Sequence, residues 1–128
     1  MKLLLDTHVF LWWVRDAPEL SDVARAAISD PGNTCYLSLV SCWELSIKSG
    51  IGKLKLKKPV ERFVSEQMQQ NGFLLLNIEL RHVAKVESLA LHHRDPFDRL
   101  LVTQAKTERM TLVTADAVLS DYGIRCIW

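Results

Sequence analysis

The chain has 128 residues, 48% hydrophobic and 24% charged, with 16 Lys and Arg against 15 Asp and Glu for a formal net charge of +1. That length is near the size of one domain and buries roughly two thirds of the surface of the unfolded chain, so neither disulfides nor a structural metal are needed to explain stability. The charge balance excludes a protein coated in positive charge and leaves room for local patches.

Residues 3–5 open the chain as a strand, followed by a short apolar helix after Thr7. Val23, Ala24, Ala27 and Ile28 form a helical stripe, and residues 34–39 read as the second strand. A helix beginning over residues 43–49 is expected to end near Gly50 or Gly52. Val60, Phe63, Val64 and Met68 make the next stripe behind Pro59, placed at a first helical position. Residues 73–78 read as a strand, 80–91 as a helix, and Phe97, Leu100, Leu101 and Ala105 as the stripe of another. Residues 111–113 and 125–128 complete the strands. Several strands are apolar at successive positions, which implies burial on both faces, as in a parallel sheet covered by helices. The expected fold is α/β: one domain over residues 1–128, a three-layer α/β/α sandwich around a mainly parallel sheet.

The three cysteines, Cys35, Cys42 and Cys126, match no ligand spacing, which reads as a reduced, cytoplasmic chain. The apolar run 9–14 is too short for a membrane span or a cleaved leader.

Four carboxylates fall at element junctions. Asp6 ends the first strand, Glu44 lies just inside the helix after the second, Asp98 opens the helix behind Pro96, and Asp116 follows the strand 111–113. In an open parallel sheet, the carboxyl ends of the strands share one edge. Each acid has a local explanation. Ser41 and Glu44 fit a capping box, Asp95-Pro96 an N-cap followed by proline, with Asp98 in the first turn, and Asp116 a cap for the turn 117–120. Asp6 can close its strand by bonding the turn at Thr7 or His8. These explain each acid singly but not all of them on one edge. Clustered carboxylates repel unless a cation is bound, and oxygen donors without Cys or a spaced His pair favour Mg2+ or Mn2+. The implied chemistry is metal-assisted hydrolysis of a phosphate ester. His92 and His93 are adjacent, so their side chains diverge, and both read as surface or loop-packing residues. His8 either reaches the mouth of the site or faces solvent.

At these residues the sequence resembles the PIN-domain ribonucleases, and within them the VapC-type toxins of bacterial toxin–antitoxin pairs. Leu4-Leu5-Asp6-Thr7 looks like the first acidic motif of the family, and residues 41–48 like the second. Residues 93–102 with Ala105 resemble the third, and Val113-Thr114-Ala115-Asp116 the fourth. Leu101, Val102 and Ala105, placed after Asp98 as the family pattern requires, select Asp98 over Asp95, which is then a cap or a group supporting the metal ligands from behind. The family often has a small polar residue where this chain has His8. The resemblance implies an endoribonuclease acting on RNA, with Asp6, Asp98 and Asp116 holding one or two Mg2+ or Mn2+ ions and Glu44 a ligand or an orienter of the attacking water. It also implies an antitoxin partner and a homodimer.

Lys48, Lys53, Lys55, Lys57 and Lys58 fall in one acid-free stretch. Lys48 lies one helical turn beyond Glu44 and is the candidate phosphate contact. Arg99 is a second, unless it serves a salt bridge to Asp95 or Asp98. Trp12, Trp13 and Trp43 read mainly as core, and the resemblance implies that one of them anchors an antitoxin or dimer interface. Two other classes fit less well. A receiver-like metal-binding module wants paired acids near the first strand and a lysine at the last. A small-molecule phosphatase wants a second aspartate where His8 stands.

Overall fold

Leu3, Leu4 and Leu5 are fully buried although they are consecutive, which a strand achieves only when both faces of its sheet are covered. The computed structural model describes all residues from Met1 to Trp128 and shows this arrangement. Strands β1 (Lys2–Leu5), β2 (Thr34–Ser38), β3 (Leu74–Leu76), β4 (Thr111–Val113) and β5 (Cys126–Ile127) form one sheet in the order β3-β2-β1-β4-β5. Every pairing is parallel, with Leu5 opposite Leu37 on one side and Val113 on the other.

The helices are α1 (Thr7–Arg15), α2 (Asp22–Ser29), α3 (Leu39–Gly50), α4 (Val60–Asn71), α5 (Leu80–Ala84) and α6 (Pro96–Glu108), with 3-10 segments at Lys85–Ser88 and Ala117–Tyr122. They divide the interior into two cores. Leu3, Leu5 and Leu37 pack with Val9, Phe10, Leu45 and Val64, while Leu4 and Leu112 pack with Leu101, Val102, Ala105 and Leu119. The fold is the expected three-layer α/β/α sandwich, and its strand order differs from the 2-1-3-4-5 order of receiver-like sheets.

Three helices depart from the sequence expectation. α3 begins at Leu39, so Ser41 and Glu44 lie inside it and form no capping box. The cap is Ser38, whose Oγ accepts from Val40 N at 3.0 Å and donates to Gln104 Oε1 at 2.5 Å. The helix expected over 80–91 stops early, as Leu89 is extended. Arg99 draws off the carbonyls of Val86, Leu89 and Ala90, which a continuous helix would use internally. Pro59 stands at the N-cap of α4 rather than at its first helical position.

Candidate metal centre

Parallel register brings the ends of β1, β2 and β4 to one edge, where Asp6 N donates to Val113 O at 3.0 Å. Asp6 is the N-cap residue of α1 but its side chain makes no cap bond. Its Oδ2 instead accepts from Thr114 Oγ1 at 2.7 Å, and that same hydroxyl oxygen accepts from Asp116 N at 3.1 Å. Thr114 thereby ties the acid after β1 to the acid after β4. Thr7 does the same on the other side: its Oγ1 donates to Glu44 Oε1 at 2.8 Å and lies 2.8 Å from Ser41 Oγ. Both threonines sit in the acidic motifs, Thr7 next to Asp6 and Thr114 two residues before Asp116, and that proximity was the available signal for their role.

Asp98 enters from the first turn of α6. Asp95 caps that helix, its Oδ1 accepting from Phe97 N and Asp98 N, as expected. Asp98 is therefore free of capping duty. Burial, the neighbouring charges of Asp6 and Asp95, and that of Glu44 push its carboxyl up to about 7. Burial also raises Asp6, against the hydrogen bond from Thr114. Carboxyls raised this way are favoured in their charged form by a nearby cation. The oxygen-only acids fit a hard divalent ion, and nearby Cys126 is kept a neutral thiol, first by burial and then by the charges of Asp116 and Asp6.

A family model described as PIN domain matches residues 3–124. The chain belongs to the PIN-domain family. Ribonuclease VapC16 of Mycobacterium tuberculosis is 31% identical over 70 residues, 55% of this chain, so the chain spans about half (50%) of the length of the curated relative it matches. VapBC2 of Rickettsia felis, solved bound to a DNA fragment from its promoter, superposes with a TM-score of 0.70 at 16% identity, covering 98% of this chain and 97% of that one. VapBC-1 of nontypeable Haemophilus influenzae does so with a TM-score of 0.68 at 15% identity, covering 98% and 96%. At these identities the likeness is one of fold.

Within this PIN domain, two groups of His and acid side chains place their ligand atoms within 4.8 Å of one another: His93, Asp98 and Asp116, and separately Glu79, His82 and Glu108. The second group already carries its own cation, because Arg81 pairs with both Glu79 and Glu108. The hydrogen bond from His82, then the Arg81 charge, hold Glu108 below the usual carboxylate range. In the first group, His93 Nε2 is 3.0 Å from Asp116 Oδ2 and 3.5 Å from Asp98 Oδ2. That contact departs from the surface or loop-packing role expected for His93, since adjacency in sequence does not show which of two histidines turns inward. Exposed His92 meets Tyr122 edge-on at 4.9 Å, and exposed His8 lies tilted against Trp12 at 5.8 Å.

Lys48 Nζ pairs with Glu44 Oε2, so Glu44 has a protein donor at each oxygen, and neither Glu44 nor Asp6 belongs to either ligand group. Arg99 makes no ion pair with Asp95 or Asp98. Its terminal nitrogens donate to the carbonyls of Val86, Leu89, Ala90 and His93, and to the Tyr122 hydroxyl. Beside the acids, Arg15, Lys48, Lys53 and His8 line a cleft of about 440 Å³ floored by Leu11 and Trp12. Trp43 is not core. It is 54% exposed and meets Phe97 edge-on at 4.9 Å.

Proposed function

We propose that this chain is a single-domain, metal-dependent endoribonuclease of the cytoplasm and the toxin half of a toxin–antitoxin pair. The reading is supported most by Thr114, which joins Asp6 to Asp116 at the end of the sheet, and by Asp98 beside Asp116, its carboxyl pushed up to about 7 by burial and then by the neighbouring like charges. When bound, Mg2+ or Mn2+ supplies Lewis-acid stabilisation of phosphate charge and acidifies a water. The chain's own residues do the rest. Asp6, Asp98 and Asp116 offer the ion its oxygens. Glu44, held by Thr7 and Lys48, orients the water that attacks phosphorus in line with departure of the 3′ oxygen. The basic cleft takes the RNA backbone. Lys48 sits where it can exchange Glu44 for a phosphate, whereas Arg99 is committed to backbone carbonyls.

An exposed stripe of Leu39, Trp43 and Ile47 at helical spacing on α3 supports a protein partner, a second copy of the chain or the antitoxin. No helix is long and apolar enough to cross a membrane. The deciding assay is cleavage of a labelled RNA pool with Mg2+, with EDTA, and by Asp6→Asn and Asp98→Asn proteins. Cleavage is expected in the first case only, and activity that survives chelation and both substitutions would overturn the reading. Co-purification with the product of the adjacent small gene tests the partner.

A further inference from the structure

A neutral imidazole has one proton to place, and the bond made at one ring nitrogen decides which nitrogen carries it. In His93, Nδ1 accepts the backbone N–H of Asp95 at 3.0 Å. The proton therefore sits on Nε2, the atom that faces Asp116 Oδ2 at 3.0 Å and Asp98 Oδ2 at 3.5 Å. A histidine that ligates through Nε2 needs a lone pair there, and normally donates its other N–H to an oxygen. His93 has the reverse arrangement. Although its ring lies with two acids in a group of ligand size, it is set as a hydrogen-bond donor to them.

The backbone around the ring is fixed to match. His93 N donates to the buried Tyr122 hydroxyl at 2.8 Å, and His92 N reaches the same oxygen at 3.1 Å. The His93 carbonyl accepts Arg99 Nη1 at 3.3 Å. With Asp95 N at the ring, the residue is pinned at its N–H by Tyr122 of the last 3-10 segment, and at its carbonyl and Nδ1 by Arg99 and the N-cap Asp95 of α6. A histidine that merely covers a loop would not gather these constraints.

We propose that His93 is a positioning residue of the acid cluster: its Nε2–H holds the Asp116 carboxyl, with Asp98 at the edge of its reach, in the orientation that meets a divalent ion, and it does not itself ligate that ion. The inference rests on the metal-dependent reading above.

Two measurements test it. Mn2+ binding by calorimetry compares the natural chain with His93→Leu and His93→Gln. The Leu variant is expected to bind about tenfold more weakly, the usual cost of losing a hydrogen bond to a metal-binding side chain. The Gln variant, whose amide N–H falls near the position of Nε2, recovers most of that loss. Nitrogen NMR of the His93 ring is expected to show Nε2 protonated and Nδ1 bare, both without metal and with Mg2+. Leu binding that equals or exceeds that of the natural chain overturns the inference, as does a bare Nε2 in the Mg2+-loaded protein. Should the Leu variant not fold, the Gln variant and the NMR decide. If the natural chain binds no Mn2+, the metal reading falls and takes the inference with it, a result distinct from binding that is indifferent to His93.

Discussion

At the scale of single residues, the acids differ in what their oxygens already do. Glu44 is satisfied by Thr7 and Lys48, Asp6 leans on Thr114, and Asp116 Oδ1 caps the following turn through Val118 N. Asp98 has the least support and its carboxyl is pushed up to about 7. A carboxyl whose folded value lies above its unfolded one holds its proton more tightly in the native state. Its contribution to stability is complete below the unfolded value near 4 and is lost as pH rises through about 7. The metal-free protein should therefore weaken between about pH 4 and about pH 7, and Asp98→Asn should remove that loss. Scanning calorimetry in EDTA is expected to show the variant melting several degrees above the natural chain at the upper pH, with the gap closing toward the lower. An unchanged gap would show that Asp98 is not held against its charge. Arg99 lives on the same scale. Because it joins four carbonyls of the 86–93 loop, Arg99→Ala should lose about 2 kcal/mol in urea unfolding, from hydrogen bonds made by a charged donor. A variant of full stability but weaker RNA binding would return Arg99 to the phosphate role.

Among the elements, the joint between α3 and α6 sets the distance across the acid cluster, since one carries Glu44 and the other Asp98. Ser38 makes that joint by capping α3 and donating to Gln104 Oε1, with both residues fully buried. Ser38→Ala removes a cap worth about 1 kcal/mol and strands a buried acceptor worth about 1–3 kcal/mol. The free energy of urea unfolding should fall by the sum, and RNA cleavage should fall with it as α3 loses its anchor. A stable variant with lower activity would point instead to a direct part for Ser38. Much of this architecture was legible in the sequence. Consecutive apolar residues in β1 announced burial on both faces, and Asp95-Pro96 announced the start of α6 together with the placement of Asp98. The start of α3 was not legible, because Ser41 and Glu44 imitate a capping box while the true cap, Ser38, is chosen by Gln104 from far along the chain. The early end of α5 has the same origin, as its would-be helical carbonyls belong to Arg99. The inward turn of His93 depends on a hydrogen bond from Asp95 N, which residue spacing cannot reveal.

For the whole molecule, the net charge of +1 is a sum over segregated parts. The acids occupy the end of the sheet, and the loop after α3 carries exposed lysines, of which Lys53 lines the cleft with Thr7 and Lys48 while Lys55 and Lys57 line a neighbouring one with Arg15 and Glu66. Lys48 and Lys58 are paired, with Glu44 and Glu66, whereas Lys53, Lys55 and Lys57 make no ion pair and are exposed. Unpaired surface lysines gain little for folding, but each phosphate they neutralise releases a counterion and adds to the salt dependence of binding. Changing Lys53, Lys55 and Lys57 together to Gln should leave the melting temperature unchanged, weaken binding of single-stranded RNA, and flatten the plot of log affinity against log salt by about 0.7 per lysine lost. Cleavage at saturating RNA should persist, because none of the three touches the acids. Lys48→Gln should behave differently. It removes the partner of Glu44, so the cleavage rate should fall even when RNA is saturating. If the triple variant keeps the full salt slope, the RNA backbone runs elsewhere, and the basic loop serves an acidic protein partner instead.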